Sequence, residues 1–239
     1  ISTETASVYE HAALALDLAI ARTGSNGLPL FLGGDWNDGM NRVGIGGKGT
    51  STWLGWFLAG ALRAFIPYAE QRGDTGRAER WTSHLSSLKT ALETAAWDGS
   101  YYRRGTFDDG TPLGSKLSSE CQIDSIAQSW SVLSGEGERD HAEQAMNAVM
   151  ERLVDRSARI IRLFTPPFEH SAHDPGYIKG YPPGVRENGG QYTHAATWVV
   201  MALAELGRGD EALECFDLLS PIGHARDRAS AEHYRVEPY

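Results

Sequence analysis

The chain has 239 residues, of which 41% are hydrophobic and 22% charged, with a formal net charge of −9, enough apolar content for one sizeable core at the size of a single domain. The acidic balance and the lack of any Lys or Arg run exclude a phosphate-backbone partner, so no nucleic-acid role is expected. No stretch approaches the ~20 consecutive apolar residues of a membrane span, and no signal-like leader is visible, so direct membrane contact is not expected. Cys121 and Cys215 sit in amphipathic segments and form no disulfide framework, which suits a reducing, cytoplasmic compartment. The chain opens at Ile1 and stops at Glu237-Pro238-Tyr239, so residues 1–239 are expected to be a piece of one domain in a longer polypeptide.

Helical periodicity dominates, and seven amphipathic segments are predicted in chain order. The first spans Val8–Ala21. The second, Thr52–Arg72, is apolar on every face from Trp53 to Leu62 and predicts an inner helix, with Gly55 and Gly60 allowing close approach. The third, Arg77–Ala96, shows one apolar stripe (Trp81, Leu85, Leu88, Leu92) and predicts an outer helix. Glu120–Ser134, Asp140–Asp155, Thr193–Leu206 and Asp210–Leu219 complete the set. Alternating inner and outer helices imply α-hairpins packed side by side, as in an all-α barrel or toroid. The best strand signal is Ile160–Phe164, which predicts a small hairpin or a sheet edge.

Two long irregular stretches, Gly33 to Gly49 and Pro166 to Gln191, are of a length that a compact helical domain carries for function. The first contains Gly34-Asp35-Trp36-Asn37-Asp38-Gly39, two carboxylates around an indole in a Gly-flanked turn. Such a ring can stack on a sugar, Asp35, Asn37 and Arg42 can hold hydroxyls, and a carboxylic acid there can protonate a glycosidic oxygen. A plain Asx turn is the competing explanation. The glycine run Gly44–Gly49 lacks the strand and the Lys-Ser/Thr pair of a nucleotide P-loop, leaving a mobile rim or a flexible loop.

In the second stretch, Tyr177, Tyr181 and Tyr192 interleave with Gly and Pro, and Arg186, Glu187 and Asn188 can bond hydroxyls or an anion. A Pro-stiffened structural loop is the alternative. His194 opens the next helix, where amide dipoles favour an anion, or else it caps the helix. His170 and His173 are weak metal ligands and are expected to be solvated, so no metal is expected. Gln122, Asp124 and Gln128 either enter a barrel mouth or serve a helix N-terminus. No nucleophile-elbow pattern supports acyl transfer.

Several of these runs resemble glycoside hydrolase family 94, the inverting β-glycoside phosphorylases. The carrying residues are Gly34–Gly44, Trp53–Phe57, Gln122–Trp130, Asp174–His194 and the tail Tyr234–Tyr239. Within that family the chain is most similar to the carboxy-terminal domain of cyclic β-1,2-glucan synthases. The resemblance implies an (α/α)6 barrel, present here as a partial one. It further implies Asp38 as general acid, Trp36 against the glycosyl-side sugar, Glu187 and Tyr192 on the acceptor side, and His194 on phosphate. Tyr181, Arg186, Asp35, Asn37 and Arg42 complete the expected sugar-binding set.

The implied reaction is phosphorolysis of β-1,2-linked glucooligosaccharide to α-glucose 1-phosphate, controlling glucan chain length. It needs no cofactor beyond inorganic phosphate as co-substrate. Expected partners are β-glucan, phosphate and the remainder of an inner-membrane parent polypeptide, with a homodimer as another way for an arc of hairpins to complete itself. Other family residues that hold phosphate fall outside these 239 positions, so the piece alone is expected to be inactive. Two alternatives stand beside this: an inverting hydrolase with Asp38 as acid and Glu187 as base, and a non-catalytic glucan-binding module.

Overall fold

A computed structural model describes residues 5–234; residues 235–239, the end of the tail run that contributed to the resemblance, lie outside it. The seven expected helices are present: α1 (Val8–Ala21), α2 (Thr52–Gln71), α3 (Thr75–Ala91), α4 (Ser125–Leu133), α5 (Arg139–Arg152), α6 (Thr193–Glu205) and α7 (Gly209–Leu219). Two short ones follow, α8 (Pro221–His224) and α9 (Arg228–Tyr234). Side-chain caps set several starts. Ser7, Ser51, Asp74 and Asp124 accept from the amides of Glu10, Leu54, Arg77 and Ile126, satisfying donors that a helix leaves unpaired.

The helices form two layers. α2 packs on α3, α4 on α5 and α6 on α7, while α2 touches α4 and α4 touches α6. Three hairpins therefore stand side by side, with α2, α4 and α6 inside and α3, α5 and α7 outside. The core between the layers includes Trp56, Leu62, Trp81, Leu88, Leu92, Met146 and Leu203. Gly55 and Gly60 act as expected. A Cβ on Gly55 would lie 2.9 Å from Leu92 Cδ2, and one on Gly60 would lie 3.5 Å from Ser134 Cα. The expectation that α2 is covered on every side needs correction at Phe57, which is 47% exposed. It stacks on Trp53 and meets Trp130 edge-on.

Among the described residues, seven two-residue strands join the helices. β1 (Thr50–Ser51), β2 (Gly105–Thr106) and β3 (Pro112–Leu113) form one antiparallel sheet; β4 (Ile123–Asp124) pairs with β7 (Phe164–Thr165), and β5 (Val154–Asp155) with β6 (Ile160–Ile161). The strand expected over Ile160–Phe164 is thus split between two sheets, because the Arg162 amide turns to Leu153 and that of Leu163 to Gly190. The helix expected from Glu120 starts only at Ser125. Cys121 adopts φ 47°, and the amides of Cys121 and Gln122 donate to Pro166 and Thr165, so this segment is committed to a ladder.

β1 runs directly into α2, β4 into α4, and Tyr192 into α6. Both long loops therefore meet at the N-terminal ends of the inner helices. A second core of Phe31, Met40, Val43, Trp53, Phe164, Phe168 and Ile178 lies beneath them.

Candidate active site

The site rests on a buried ion cluster. Arg104, with no exposed surface, places Nη1 and Nη2 each 2.6 Å from the two carboxylate oxygens of Asp35. Its Nε reaches Asp124 at 3.2 Å, and Nη1 donates to Ser51 Oγ at 3.3 Å. Asp35 also accepts from Ser51 Oγ at 2.7 Å and from the Asn37 amide at 2.9 Å, closing an Asx turn. The turn before it requires Gly34, whose φ is 128°, a region closed to side chains. The start of α2, the start of α4 and the acidic loop are thereby fixed to one guanidinium.

Two carboxylates share that single cation, leaving one negative charge in excess inside the protein. Burial pushes Asp124 up to about 6 against the pull of Arg104. Arg104 Nε and the Ile126 amide both donate to Asp124 and offset its burial only in part.

The two long loops are stitched together beside this base. Arg42 Nε lies 3.1 Å from Asp174, the Arg42 amide donates to Pro175, and the Tyr177 amide donates to Asn41 Oδ1 at 3.2 Å. Gly176, at φ 118°, allows the approach, since a Cβ there would sit 2.2 Å from Asn41 Oδ1. Two short 3-10 turns, Asp38–Met40 and Tyr177–Gly180, consequently pack on each other.

Asp38 heads the first turn with an exposed side chain, and Tyr177 heads the second. The Tyr177 phenol is pushed up to about 12, by partial burial and then by the neighbouring Asp38 carboxylate. The Tyr192 phenol is raised too, first by burial and then by the charges of Glu187 and Asp38. Glu187 is buried to 9% exposure, with Oε2 3.4 Å from Arg186 Nε and without a hydrogen bond. The Arg186 guanidinium also lies over the Tyr181 ring, 4.9 Å from its centroid. One acid, three phenols and an ion pair are thus gathered from residues 38 to 192.

Trp36 adjoins this group through Tyr192. Its ring meets Tyr192 edge-on at 5.4 Å and Trp198 at 5.4 Å, and its Nε1 donates to His194 Nδ1 at 3.2 Å. From Trp198 the aromatic row continues to Trp53 and Trp130. Arg42, Trp36, Asp38, Tyr181, Arg186, Glu187, Tyr192 and His194 therefore stand in one connected group.

Several expected roles are corrected. The Asp35 carboxylate has no exposed surface and holds the loop instead of facing a sugar. Asn37 is 1% exposed, and both ends of its carboxamide are buried without partners. Asn188 is likewise internal, bonding Phe168 and Tyr181 backbone. The glycine run is no free rim, since the amides of Gly46, Lys48 and Gly49 donate to Asp108 at 2.6–2.8 Å. Burial opposes ionisation of Asp108, but those three amides outweigh it and keep its pKa low. His173 pairs with Asp109 at 2.9 Å. Gln128 bonds Tyr102 backbone and Gln122 accepts from Arg152, so neither enters a barrel mouth. No group of three or more potential metal ligands occurs among the described residues.

Sequence reasoning missed Arg104, the packing of the Tyr177 turn on that of Asp38, and Trp198. Trp198 was within reach, four positions after His194 and hence on the same helix face. Nothing near Arg104 in sequence announces a partner 69 positions away.

The sequence signature described as "Glycosyl hydrolase 94 superfamily, catalytic domain" matches residues 2–239. The chain is 66% identical over its whole length to the cyclic beta-(1,2)-glucan synthase NdvB of Rhizobium meliloti, of which it spans 8%. It is 34% identical over 220 residues to a 3-O-beta-D-glucopyranosyl-beta-D-glucuronide phosphorylase of Paenibacillus borealis, covering 92% of this chain and 28% of that protein. In fold it resembles a rhamnosidase from Klebsiella oxytoca, with a TM-score of 0.55 at 18% identity over 88% of this chain and 32% of the other. The chain thus spans a minor share of each relative, and it belongs to the glycosyl hydrolase 94 superfamily, within the catalytic domain of that family.

Proposed function

We propose that this chain is the acid-bearing part of an inverting phosphorylase domain acting on β-1,2-linked glucooligosaccharide. The observation that carries the proposal is the exposed Asp38 carboxylate at the head of a turn packed on the tyrosine-bearing turn of Tyr177, on the loop that also carries Trp36. The β-1,2 linkage is supported by the similarity to a protein named as a cyclic β-(1,2)-glucan synthase, and phosphorolysis by the similarity to a phosphorylase.

In the proposed step Asp38 gives its proton to the glycosidic oxygen as the bond from that oxygen to the anomeric carbon breaks. A phosphate oxygen bonds to the anomeric carbon from the opposite face, inverting it. The products are α-glucose 1-phosphate and a glucan one unit shorter, and the Asp38 carboxylate takes up a proton from solvent. Phosphate arrives as an anion and needs no base, but it needs donors. His194, at the start of α6, supplies one, and the helix amides favour negative charge there. Trp36 and the tyrosines offer faces for the sugar ring, and Glu187 with Arg186 holds acceptor hydroxyls.

The three-hairpin arc is then a segment of an (α/α)6 barrel completed by the rest of the parent polypeptide. The parent is anchored in the inner membrane with this domain in the cytoplasm, as two buried free cysteines suit.

The test uses the full-length polypeptide with β-1,2-glucooligosaccharide and phosphate. α-Glucose 1-phosphate is expected to form, and Asp38→Asn to lower its rate by roughly 10²–10⁴-fold. Equal turnover without phosphate would reject phosphorolysis in favour of hydrolysis with Glu187 as base. That second reading is disfavoured by the ion pair that holds Glu187 Oε2 3.4 Å from Arg186 Nε, which engages the carboxylate that would have to activate a water.

A further inference from the structure

We infer that Trp36 is a positioning residue for His194, selecting the tautomer of its imidazole that carries the proton on Nε2. The inference concerns the same site as the proposed phosphorylase and, for its kinetic part, rests on that reading.

A neutral imidazole has one nitrogen that donates and one that accepts. The Trp36 indole can only donate, and its Nε1 lies 3.2 Å from His194 Nδ1 with the N–H directed at it. Nδ1 is therefore the acceptor, and the proton resides on Nε2. The ring cannot turn easily to exchange the two nitrogens. It stands 4.4 Å from the Trp198 ring and 5.6 Å from Trp36, tilted by 54° and 66°, and its backbone is held in the first turn of α6. His194 remains exposed, so its second nitrogen is open to an incoming ligand. A ring locked in this way meets an anion with an N–H and without first changing tautomer.

The same indole meets Tyr192 and Trp198 through its ring. Trp36 thus has two separable parts, a ring that belongs to the sugar wall and an N–H that belongs to the anion donor. Any displacement of the ring displaces the hydrogen bond to His194 with it. The geometry couples occupation of the sugar wall to the readiness of the anion donor, through one side chain.

The tautomer is read directly from a two-bond 15N–1H correlation spectrum of the 239-residue chain, with the His194 signals identified by their loss in His194→Gln. The wild type is expected to show the Nε2–H form alone, and Trp36→Phe a mixture of both forms. A wild-type spectrum showing the Nδ1–H form overturns the inference even where Trp36→Phe fails to fold. So does an unchanged spectrum in a folded Trp36→Phe.

A second measurement keeps the aromatic face while deleting the donor: position 36 in the full-length polypeptide is filled with 3-benzothienylalanine, which has sulfur in place of N–H. The KM for phosphate is expected to rise about fivefold to tenfold, the size of one lost hydrogen bond, while the KM for glucooligosaccharide moves less than about twofold. Equal effects on both constants, or none, would also overturn the coupling. A wild type that consumes no phosphate would reject the phosphorylase reading, while the spectrum still decides the role of Trp36.

Discussion

At the residue scale, the glycine run is ordered by a single side chain that lies about 60 positions further along the chain. Asp108 fills a nest of three amides in the glycine run, the arrangement that elsewhere binds phosphate, here closed by a carboxylate of the protein itself. Asp108→Asn keeps the size but replaces a charged acceptor by a neutral one. It is expected to destabilise the chain by roughly 1–3 kcal/mol, read by urea unfolding, and to make residues 44–49 the first site of proteolytic cleavage. The sign with pH follows from the low pKa of Asp108. Its contribution is complete above the ordinary carboxylate range and is lost as pH falls through its depressed value, so wild type and variant should converge in acid. Unchanged cleavage at this loop would mean that the glycine run is ordered by something else.

At the scale of elements, Arg104 ties α2, α4 and the acidic loop, and the cluster makes two distinguishable demands. Arg104→Met leaves two carboxylates buried without a cation and is expected to cost about 3–5 kcal/mol, measured by denaturant unfolding. Asp124→Asn keeps the N-cap acceptor for Ile126 and removes the excess charge. Because the folded Asp124 is raised to about 6, its stabilising effect is complete below its unfolded pKa and is lost as pH rises through about 6. The melting temperature of the wild type relative to Asp124→Asn should therefore fall between about pH 4 and pH 6. A constant difference across that window would show that Asp124 stays ionised. Helices lettered by periodicity alone were legible because burial imposes a 3.6-residue rhythm on sequence; α2 and α3 separate as inner and outer helices on that basis. The false start at Glu120 has a physical cause, since the pairing of β4 with β7 joins positions about 40 apart, and no local pattern encodes it.

Across the whole molecule, the chemistry-bearing turn and the tyrosine-rich loop were legible as segments, because Trp, Tyr, Gly and Pro are conspicuous outside a core. Their junction was not, since the Trp36–His194 contact spans 158 positions and depends on three hairpins standing in register. The same arc leaves apolar surface at its far side: Leu213 and Phe216, three positions apart on α7, are each 61% exposed, and Met201 on α6 is 54% exposed. Exposed apolar side chains promote association where they form a patch, and a net charge of −9 opposes it only at low salt. The isolated chain is therefore expected to associate reversibly as salt rises, seen by light scattering. Leu213→Glu combined with Phe216→Lys should suppress this while changing stability by no more than about 0.5 kcal/mol, since both positions are surface ones. The Glu–Lys pair at this spacing adds no net charge, so loss of association would identify the apolar face itself as the cause. If association persists unchanged in the double variant, the contact lies elsewhere, with the exposed Phe57 side of α2 as the next surface to alter.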